Sequence, residues 1–256
     1  MNRRAFAGAS AAILCAADSP AEEKPAGRDV YELRTYSLKA EKRAILDDYL
    51  KAAYIPAVKR HGAGPVGVFA GPGEADSLKV VVLVVHPSAD SAALMPSRLA
   101  ADAEYRKAAA GYLDAAADSP VYVRIESSLL VAIAGMPRLG KTDPSKPRLF
   151  NLRVYESHNE RAAAKKIEMF EKGELAIFQR VGLVPVFFAA AVVGPALPNL
   201  TYLLVFPDED GRKKAWDTFR ADPAWLKLKA EPGYADKEIV SKITNHVLTP
   251  AAYSEI

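Results

Sequence analysis

YELRTYS, at residues 31–37, returns 119 residues later as FNLRVYE, at residues 150–156. Other segments repeat at nearly the same distance. VVLVVHPSAD (81–90) aligns with TYLLVFPDED (201–210), and AADAEYRK (100–107) aligns with RADPAWLK (220–227). Self-similarity at a fixed spacing indicates a tandem duplication. We therefore predict two copies of one folding unit, at residues 29–133 and 149–256.

Both copies show the same order of predicted elements. In the first copy, residues 30–36 alternate in polarity as a strand does, and apolar residues between 45 and 58 recur at helical steps. The equivalent helix of the second copy is predicted to begin after Asn159, a suitable N-cap residue. The remaining elements of the first copy are predicted at 65–70 (strand), 78–85 (buried strand), 89–113 (helix) and 121–130 (strand).

The order βαββαβ, present twice, is that of the ferredoxin-like unit and places the protein in the α+β class. Such a unit carries both helices on one face of its sheet. The other face must be covered, because an exposed apolar sheet aggregates. We predict that the two units pack face to face and form an α+β barrel within one chain.

Residues outside the two copies read as a linker and a leader. Residues 134–148 hold three prolines, two glycines and four basic residues, which is typical of a linker. Residues 1–21 combine a basic start, a short apolar run and small residues at the end, which predicts a signal peptide. Arg3 and Arg4 give it a twin-arginine-like character.

This leader predicts an exported protein, periplasmic or otherwise extracytoplasmic. Its apolar run is too short for stable insertion in a membrane. The sequence argues against a lipid anchor, because Leu14 stands before Cys15 where such signals have a small residue. Cys15 is also the single cysteine of the chain, so cleavage after Ala21 leaves a protein without a thiolate.

The composition excludes several classes of function. The net charge of +3 is spread over interspersed basic and acidic residues, and no nucleic-acid motif or Gly-rich phosphate loop is present. No histidines or acids show the spacing of a metal site, and nothing links a particular serine to a base. We therefore expect no nucleic-acid partner and no metal.

WDTFRADPAWLKLKA, at residues 216–230, looks at first like a catalytic signature. Its aromatic residues have helical spacing, however, and the repeat aligns Trp225 with Tyr105 and Asp222 with Asp102. Aromatic residues at helical spacing usually form core, and an aspartate at a helix break caps the next helix. We interpret this stretch as a helix junction rather than a site.

Candidate ligand-binding residues lie on the first strand of each copy. Leu33 and Leu152 are apolar in both copies and are predicted to face the helices. Strand alternation then turns toward the barrel lumen the residues Glu32, Arg34, Tyr36, Asn151, Arg153 and Tyr155. Two interpretations stay open. The arginines pair with acids such as Glu126, or they form a pocket for a small carboxylate- or phosphate-bearing ligand.

Three further residues are weaker candidates. His61 follows a predicted helix and aligns with Val181, which favours a helix-end role. His246 lies in the last strand and aligns with Ser128 once a two-residue shift is allowed, so it can face the lumen. Tyr202 is a candidate for contact with an aromatic substrate.

Several motifs also resemble those of the NIPSNAP family. They are YELRTYSL, RHGAGPVGVF, WDTFRADPAW and IVSKITNHVLTPAAYS, and they occur in order over nearly the whole chain outside the leader and linker. The resemblance implies a fold of the dimeric α+β barrel superfamily, in agreement with the repeat. Eukaryotic members are associated with mitochondria, but this leader is not a mitochondrial presequence, so those roles are not implied. The resemblance settles no activity for an exported bacterial member.

Two functions from different classes follow. The first is an exported protein that binds a small anionic or aromatic ligand in its barrel, without a cofactor. The alternative, implied by the superfamily, is a cofactor-free monooxygenase-like enzyme or a haem-handling protein. Haem would need His61 or His246 as its axial ligand. Because the barrel closes within one chain, a homodimer is compatible with the fold but not required.

Overall fold

The computed structural model describes residues 27–73 and 78–256. The predicted leader lies outside the described residues. Among the described residues, eight antiparallel strands form one closed barrel in the order β1-β3-β2-β8-β5-β7-β6-β4. The strands are β1 (Val30–Ser37), β2 (Val66–Ala70), β3 (Lys79–His86), β4 (Arg124–Ala132), β5 (Leu149–Glu156), β6 (Val184–Val193), β7 (Asn199–Phe206) and β8 (Lys242–Pro250).

Helices pack on the outer face of each half of the barrel. In the first half they are α1 (Arg43–Tyr49), α2 (Ile55–Arg60), α3 (Ala89–Ala101), α4 (Ala103–Ala108) and α5 (Ala110–Leu113). In the second half they are α6 (Glu160–Met169), α7 (Leu175–Arg180), α8 (Glu209–Ala221), α9 (Pro223–Leu228) and α10 (Asp236–Ile239). Each half thus has the predicted order βαββαβ, and the α+β barrel is confirmed.

The same irregularity interrupts the first long helix of both halves. A π-helical turn separates α1 from α2 at Leu50–Tyr54, and its counterpart separates α6 from α7 at Phe170–Glu174. A π-helical turn inserts one extra residue and redirects the side chains that follow. Tyr54 of the first turn contacts Arg34 on β1, and Phe170 of the second turn contacts Tyr155 on β5.

Two seams join the halves into a barrel. At one seam β4 pairs with β6 from Leu129 to Ala132. At the other, β2 pairs with β8 only at Phe69 and Ala70. The last residues of the chain extend this second seam, since the Ala251 amide donates to the Val68 carbonyl over 2.8 Å. Among the described residues, β4 and β8 form no further strand pairs across these seams.

The barrel interior and the two helix-covered faces form three separate cores. The interior core contains apolar residues from both halves, including Leu83, Phe150, Leu152 and Phe187, and Leu33 packs against it. Tyr36 belongs instead to the core under the first set of helices. The predicted orientation of the first strands is therefore wrong: Leu33 and Leu152 face the lumen.

The reason lies in the position of the first strands. Both β1 and β5 are inner strands of their half and are covered on both faces, so each face carries large side chains. Alternation defines two faces but does not say which one meets the helices. The residues predicted to line the lumen (Glu32, Arg34, Tyr36, Asn151, Arg153 and Tyr155) consequently lie between sheet and helices.

The segment between the halves packs against one end of the barrel. Leu139 contacts the interior core, and the Gly140 amide donates to the Val186 carbonyl over 2.7 Å. Arg138 forms an ion pair with Asp29 at 2.7 Å.

No helix within the described ranges is long and apolar enough to cross a membrane.

The stretch at residues 216–230 is a helix junction, as predicted. Asp222 ends α8 and caps α9, because its Oδ1 accepts from the amides of Ala224 and Trp225 over 2.9 and 3.1 Å. Trp216, Phe219 and Trp225 belong to the core of the second half.

Candidate functional site

One cavity lies inside the barrel, toward one end. Aromatic side chains fill the opposite end: Tyr31 packs on Phe187 at 4.7 Å between ring centroids, and Phe69 packs on Phe150 at 4.8 Å. The cavity has a volume of about 510 Å³. Its apolar walls come from Leu33, Val81, Leu152, Val154 and Leu248, and its polar lining includes Thr35, Lys79, Glu126, Ser128 and His246.

The strand register places these residues. Leu33 on β1 lies opposite Leu83 and Ser128, and Leu152 on β5 lies opposite His246. Ser128 and His246 therefore occupy equivalent positions in the two halves, as the alignment with a two-residue shift predicts. His246 and Glu126 are more than one third exposed, so this polar group lies where the cavity meets solvent.

A different site forms around Arg34, under the helices of the first half. Its Nε and Nη2 donate to the two carboxylate oxygens of Glu32 over 2.6 and 3.0 Å. The guanidinium also lies 5.2 Å from the ring centroid of Tyr54, which belongs to the first π-helical turn. Arg34 thus has a bidentate carboxylate partner and an aromatic one.

This environment changes the acidity of Glu32. Burial raises the pKa of the Glu32 carboxyl, but His86 and Arg34 outweigh burial and lower its pKa to about 2. The contact from His86 Nε2 is 3.6 Å, which is long for a hydrogen bond. We therefore assign most of the lowering to the bidentate pair with Arg34. The interpretation that an arginine pairs with an acid holds for this half, with Glu32 as the acid.

The equivalent site of the second half lacks the carboxylate, because Asn151 stands where the first half has Glu32. Arg153 donates to Asn245 Oδ1 over 3.0 Å and to the Tyr155 hydroxyl over 3.1 Å. The Tyr202 hydroxyl donates to Tyr155 over 2.9 Å. Burial raises the pKa of Tyr202 well above its usual value, and the acceptors of Arg153 are an amide oxygen and a hydroxyl rather than a carboxylate.

The structure divides the predicted site residues among separate places instead of bringing them all into one site. His246 lines the barrel cavity, whereas Glu32, Arg34 and Tyr36 lie under the first set of helices. Asn151, Arg153, Tyr155 and Tyr202 lie under the second set. His61 ends α2 on the outside, where its Nε2 contacts Asp102 at 3.1 Å. The two arginines share no space.

Sequence reasoning did not select Thr35, Lys79 and Ser128, which are polar residues of the cavity lining. Glu126 entered only as a partner for an arginine. The alternation of β1 contained the information needed to find them. If the opposite face of β1 is assigned to the lumen, Leu33 and Thr35 become lumen residues. The alignment of the two copies would then have predicted that Ser128 and His246, which lie opposite Leu33 and Leu152, also face the lumen.

A metal or haem has few ligands to draw on. Within residues 27–73 and 78–256, no three His, Cys, Asp or Glu side chains cluster as a metal site. His246 is the single imidazole among the described residues that line the cavity, and the lining holds no thiolate or thioether. A haem there would depend on His246 alone as a protein ligand.

Solved structures with the same fold come from several proteins. A proposed monooxygenase from Lactobacillus acidophilus superposes with a TM-score of 0.56 at 10% identity, over 87% of this chain and 94% of its own. A proposed monooxygenase from Fusobacterium nucleatum gives 0.55 at 8% identity, over 88% and 93%. An anthrone oxidase-like protein gives 0.54 at 9% identity, over 88% and 92%. At these identities the similarity shows the fold alone.

No curated protein matches the chain. The NIPSNAP family matches it twice, over residues 31–133 and residues 150–255. Each match covers one βαββαβ unit, and together they include well over half of the sequence. The chain belongs to the NIPSNAP family.

Proposed function

We propose that the protein binds a small organic molecule in the barrel cavity. The observation that carries the proposal is the cavity itself, which both halves build and which combines aliphatic walls with a polar, solvent-facing end. Its volume of about 510 Å³ falls in the range of roughly 300–1,000 Å³ that is usual for small-molecule sites.

The lining describes the kind of ligand. Leu33, Val81 and Leu152 offer an apolar surface, so the body of the ligand is apolar. Lys79 brings an ammonium group, while Glu126 and His246 bring a carboxylate and an imidazole. A ligand with one polar or anionic group fits this end, with Lys79 in the role that the sequence prediction gave to the arginines.

Native mass spectrometry of protein purified from the fraction to which it is exported tests this proposal. We expect a mass above that of the denatured chain, which a retained molecule explains. Thr35→Trp places a large ring in the cavity and should remove the retained molecule. Val123→Trp adds the same ring at a side chain that is 66% exposed and should retain it. A retained mass that Thr35→Trp leaves unchanged would place the ligand elsewhere.

We also infer that residues 1–21 direct export, on the basis of their signal-peptide pattern. The denatured mass from the same experiment tests this. A chain that begins near residue 22 in the exported fraction supports export with cleavage. A full-length chain that is found only in the cytoplasmic fraction of the same cells contradicts it.

A second candidate function is oxidation of an activated C–H group by O2 without a cofactor. It is favoured by the two groups at the cavity that accept protons, His246 and Glu126, and by the fold shared with the anthrone oxidase-like protein. A methylene group and O2 would give a carbonyl group and one water. The methylene carbon supplies the four electrons that O2 accepts, and the side chains move protons.

Oxygen consumption with anthrone as substrate tests this candidate. We expect His246→Ala to slow consumption at least tenfold if His246 is the base, since general base catalysis contributes roughly 10²–10⁴-fold. His61→Ala changes a histidine on the outer surface and is the matched control. Equal rates in all three proteins would exclude His246 as the base. No consumption above the uncatalysed rate would exclude the oxidation of anthrone, and both results would leave the binding proposal intact.

A further inference from the structure

Each half contains a pocket at the same place. It lies between the first strand of the half and the helices that follow its third strand, which are α3–α5 in the first half and α8–α10 in the second half. The first pocket is lined by Arg34, Leu99 and Tyr105 among others, and has a volume of about 390 Å³. The second is lined at the equivalent positions by Arg153, Phe219 and Trp225, and has a volume of about 470 Å³. We call the second one the outer pocket. It lies outside the barrel, separate from the barrel cavity.

The two pockets differ in charge. In the first, Glu32 holds Arg34 in a bidentate ion pair. In the outer pocket, no carboxylate among the described residues lies within 4.0 Å of Arg153, and its buried Nε has no hydrogen-bond partner there. The guanidinium offers five N–H donors, and the oxygen atoms that accept from it belong to an amide and a hydroxyl. A half-buried arginine with no carboxylate in contact is costly for the protein alone.

The walls and the rim of the outer pocket also contribute to the difference in charge between the two pockets. The Arg153 guanidinium lies 4.5 Å from the ring centroid of Trp216, which holds it in place by a cation–π contact. The lining contains five cationic side chains, of which Arg212, Lys213 and Arg220 form ion pairs with Glu209 or Asp217. Among the described residues, the other two, Arg153 and Lys229, have no carboxylate within 4.0 Å. The potential in the pocket therefore favours an anion.

We propose that the outer pocket binds a small aromatic carboxylate. The carboxylate supplies the counter-charge that Asn151 cannot, by accepting from Arg153 as Glu32 does from Arg34 in the other half. The aromatic body of the ligand packs against Trp216 and Trp225. Arg34 is thus neutralised within the protein by Glu32, whereas Arg153, its equivalent in the second half, is neutralised by the ligand.

Tryptophan fluorescence reports on this pocket and not on the barrel cavity. The chain has two tryptophans, Trp216 and Trp225, and both line the outer pocket. Benzoate is the probe, and benzamide, which has the same shape without the charge, is its control. We expect benzoate to change the emission saturably and benzamide to leave it nearly unchanged.

Two matched variants locate the binding. Arg153→Gln should weaken benzoate binding about tenfold, since it removes a charged hydrogen-bonding partner. Arg34→Gln removes the twin arginine and should leave the affinity unchanged. Equal effects of benzoate and benzamide, or equal losses in both variants, would overturn the proposal.

A third variant keeps the proposal testable if Arg153→Gln does not fold. Lys229 is exposed on the rim, so Lys229→Gln should fold as the wild type does, with benzoate binding weakened about twofold and less steeply dependent on salt. Circular dichroism establishes whether Arg153→Gln is folded. If it is not, an unchanged affinity and salt dependence in Lys229→Gln would refute the proposal.

Discussion

Replacement of Glu32 by glutamine removes the charge that neutralises Arg34. The Glu32 side chain is 13% exposed and the Arg34 side chain 17% exposed, so solvent screens this pair little. The pKa of Glu32 is lowered from its usual 4.5 to about 2. A lowering of this size corresponds to about 3 kcal/mol of folding stability at neutral pH, at about 1.4 kcal/mol for each pH unit. We expect Glu32→Gln to lose that amount.

The pH dependence of this loss follows from the direction of the pKa change. A carboxyl whose pKa is lowered by folding stabilises the protein fully above its unfolded pKa, and this contribution is lost as the pH falls toward the folded pKa. The difference between wild type and Glu32→Gln should therefore stay constant above about pH 5. Between pH 4.5 and pH 2 it should shrink, and near pH 3 it should be about 1 kcal/mol.

Urea unfolding followed by circular dichroism at neutral pH and near pH 3 measures both quantities. Glu126→Gln is the matched control, because it is the same substitution at an exposed residue, where less than about 0.5 kcal/mol is expected. A loss below 1 kcal/mol at neutral pH would refute the reasoning. A loss that is the same at both pH values would also refute it, since the charge of Glu32 would then not be its source.

Other predictions concern the packing of the second half and the barrel. Lys166 and Glu174 form a buried ion pair at 3.0 Å, so Lys166→Met should cost about 3–5 kcal/mol in urea unfolding, and Lys166→Met with Glu174→Leu should recover most of it. Burial raises the pKa of Glu174 to about 7, so its contribution to stability is present below pH 4.5 and is lost as the pH rises through 7; Glu174→Gln should abolish this dependence. Asp222→Ala removes the cap of α9 and should cost about 1–2 kcal/mol, seen as a lower Tm, whereas an unchanged Tm would argue against the cap. Leu83→Ala in the barrel interior should cost about 2–5 kcal/mol in the same assay, and a loss under 1 kcal/mol would mean that the interior is loosely packed.

Local features were predictable because their cause is local. Asn159 accepts from the Ala162 amide over 2.9 Å and begins α6, as its residue type predicts. Asp222 begins α9 for the same reason. The equivalence of Ser128 and His246 also follows from the alignment of the repeats, since both lie opposite the leucine of their first strand. Such features depend on residues that are close in sequence or related by the duplication.

The environment of the arginines was not predictable in the same way. Arg34 and Arg153 stand in matching motifs, LRTY and LRVY, yet one has a carboxylate partner and the other has Asn245 and Trp216. Asn245 and Trp216 are distant in sequence and meet Arg153 only through the barrel and the packing of α8. The sequence does show that Asn151 replaces Glu32, but only the tertiary structure shows that this face meets the helices and that Asn245 and Trp216 contact Arg153.

The sequence by itself determined the duplication, the order of strands and helices and hence the α+β barrel, because hydrophobic periodicity and repetition are properties of the chain alone. The tertiary structure alone decided which face of each first strand meets the lumen. Period-two alternation is symmetric between the two faces of an inner strand, so the choice depends on packing between distant elements. That choice moved Arg34 and Arg153 out of the barrel and placed His246, Lys79 and Glu126 at its cavity.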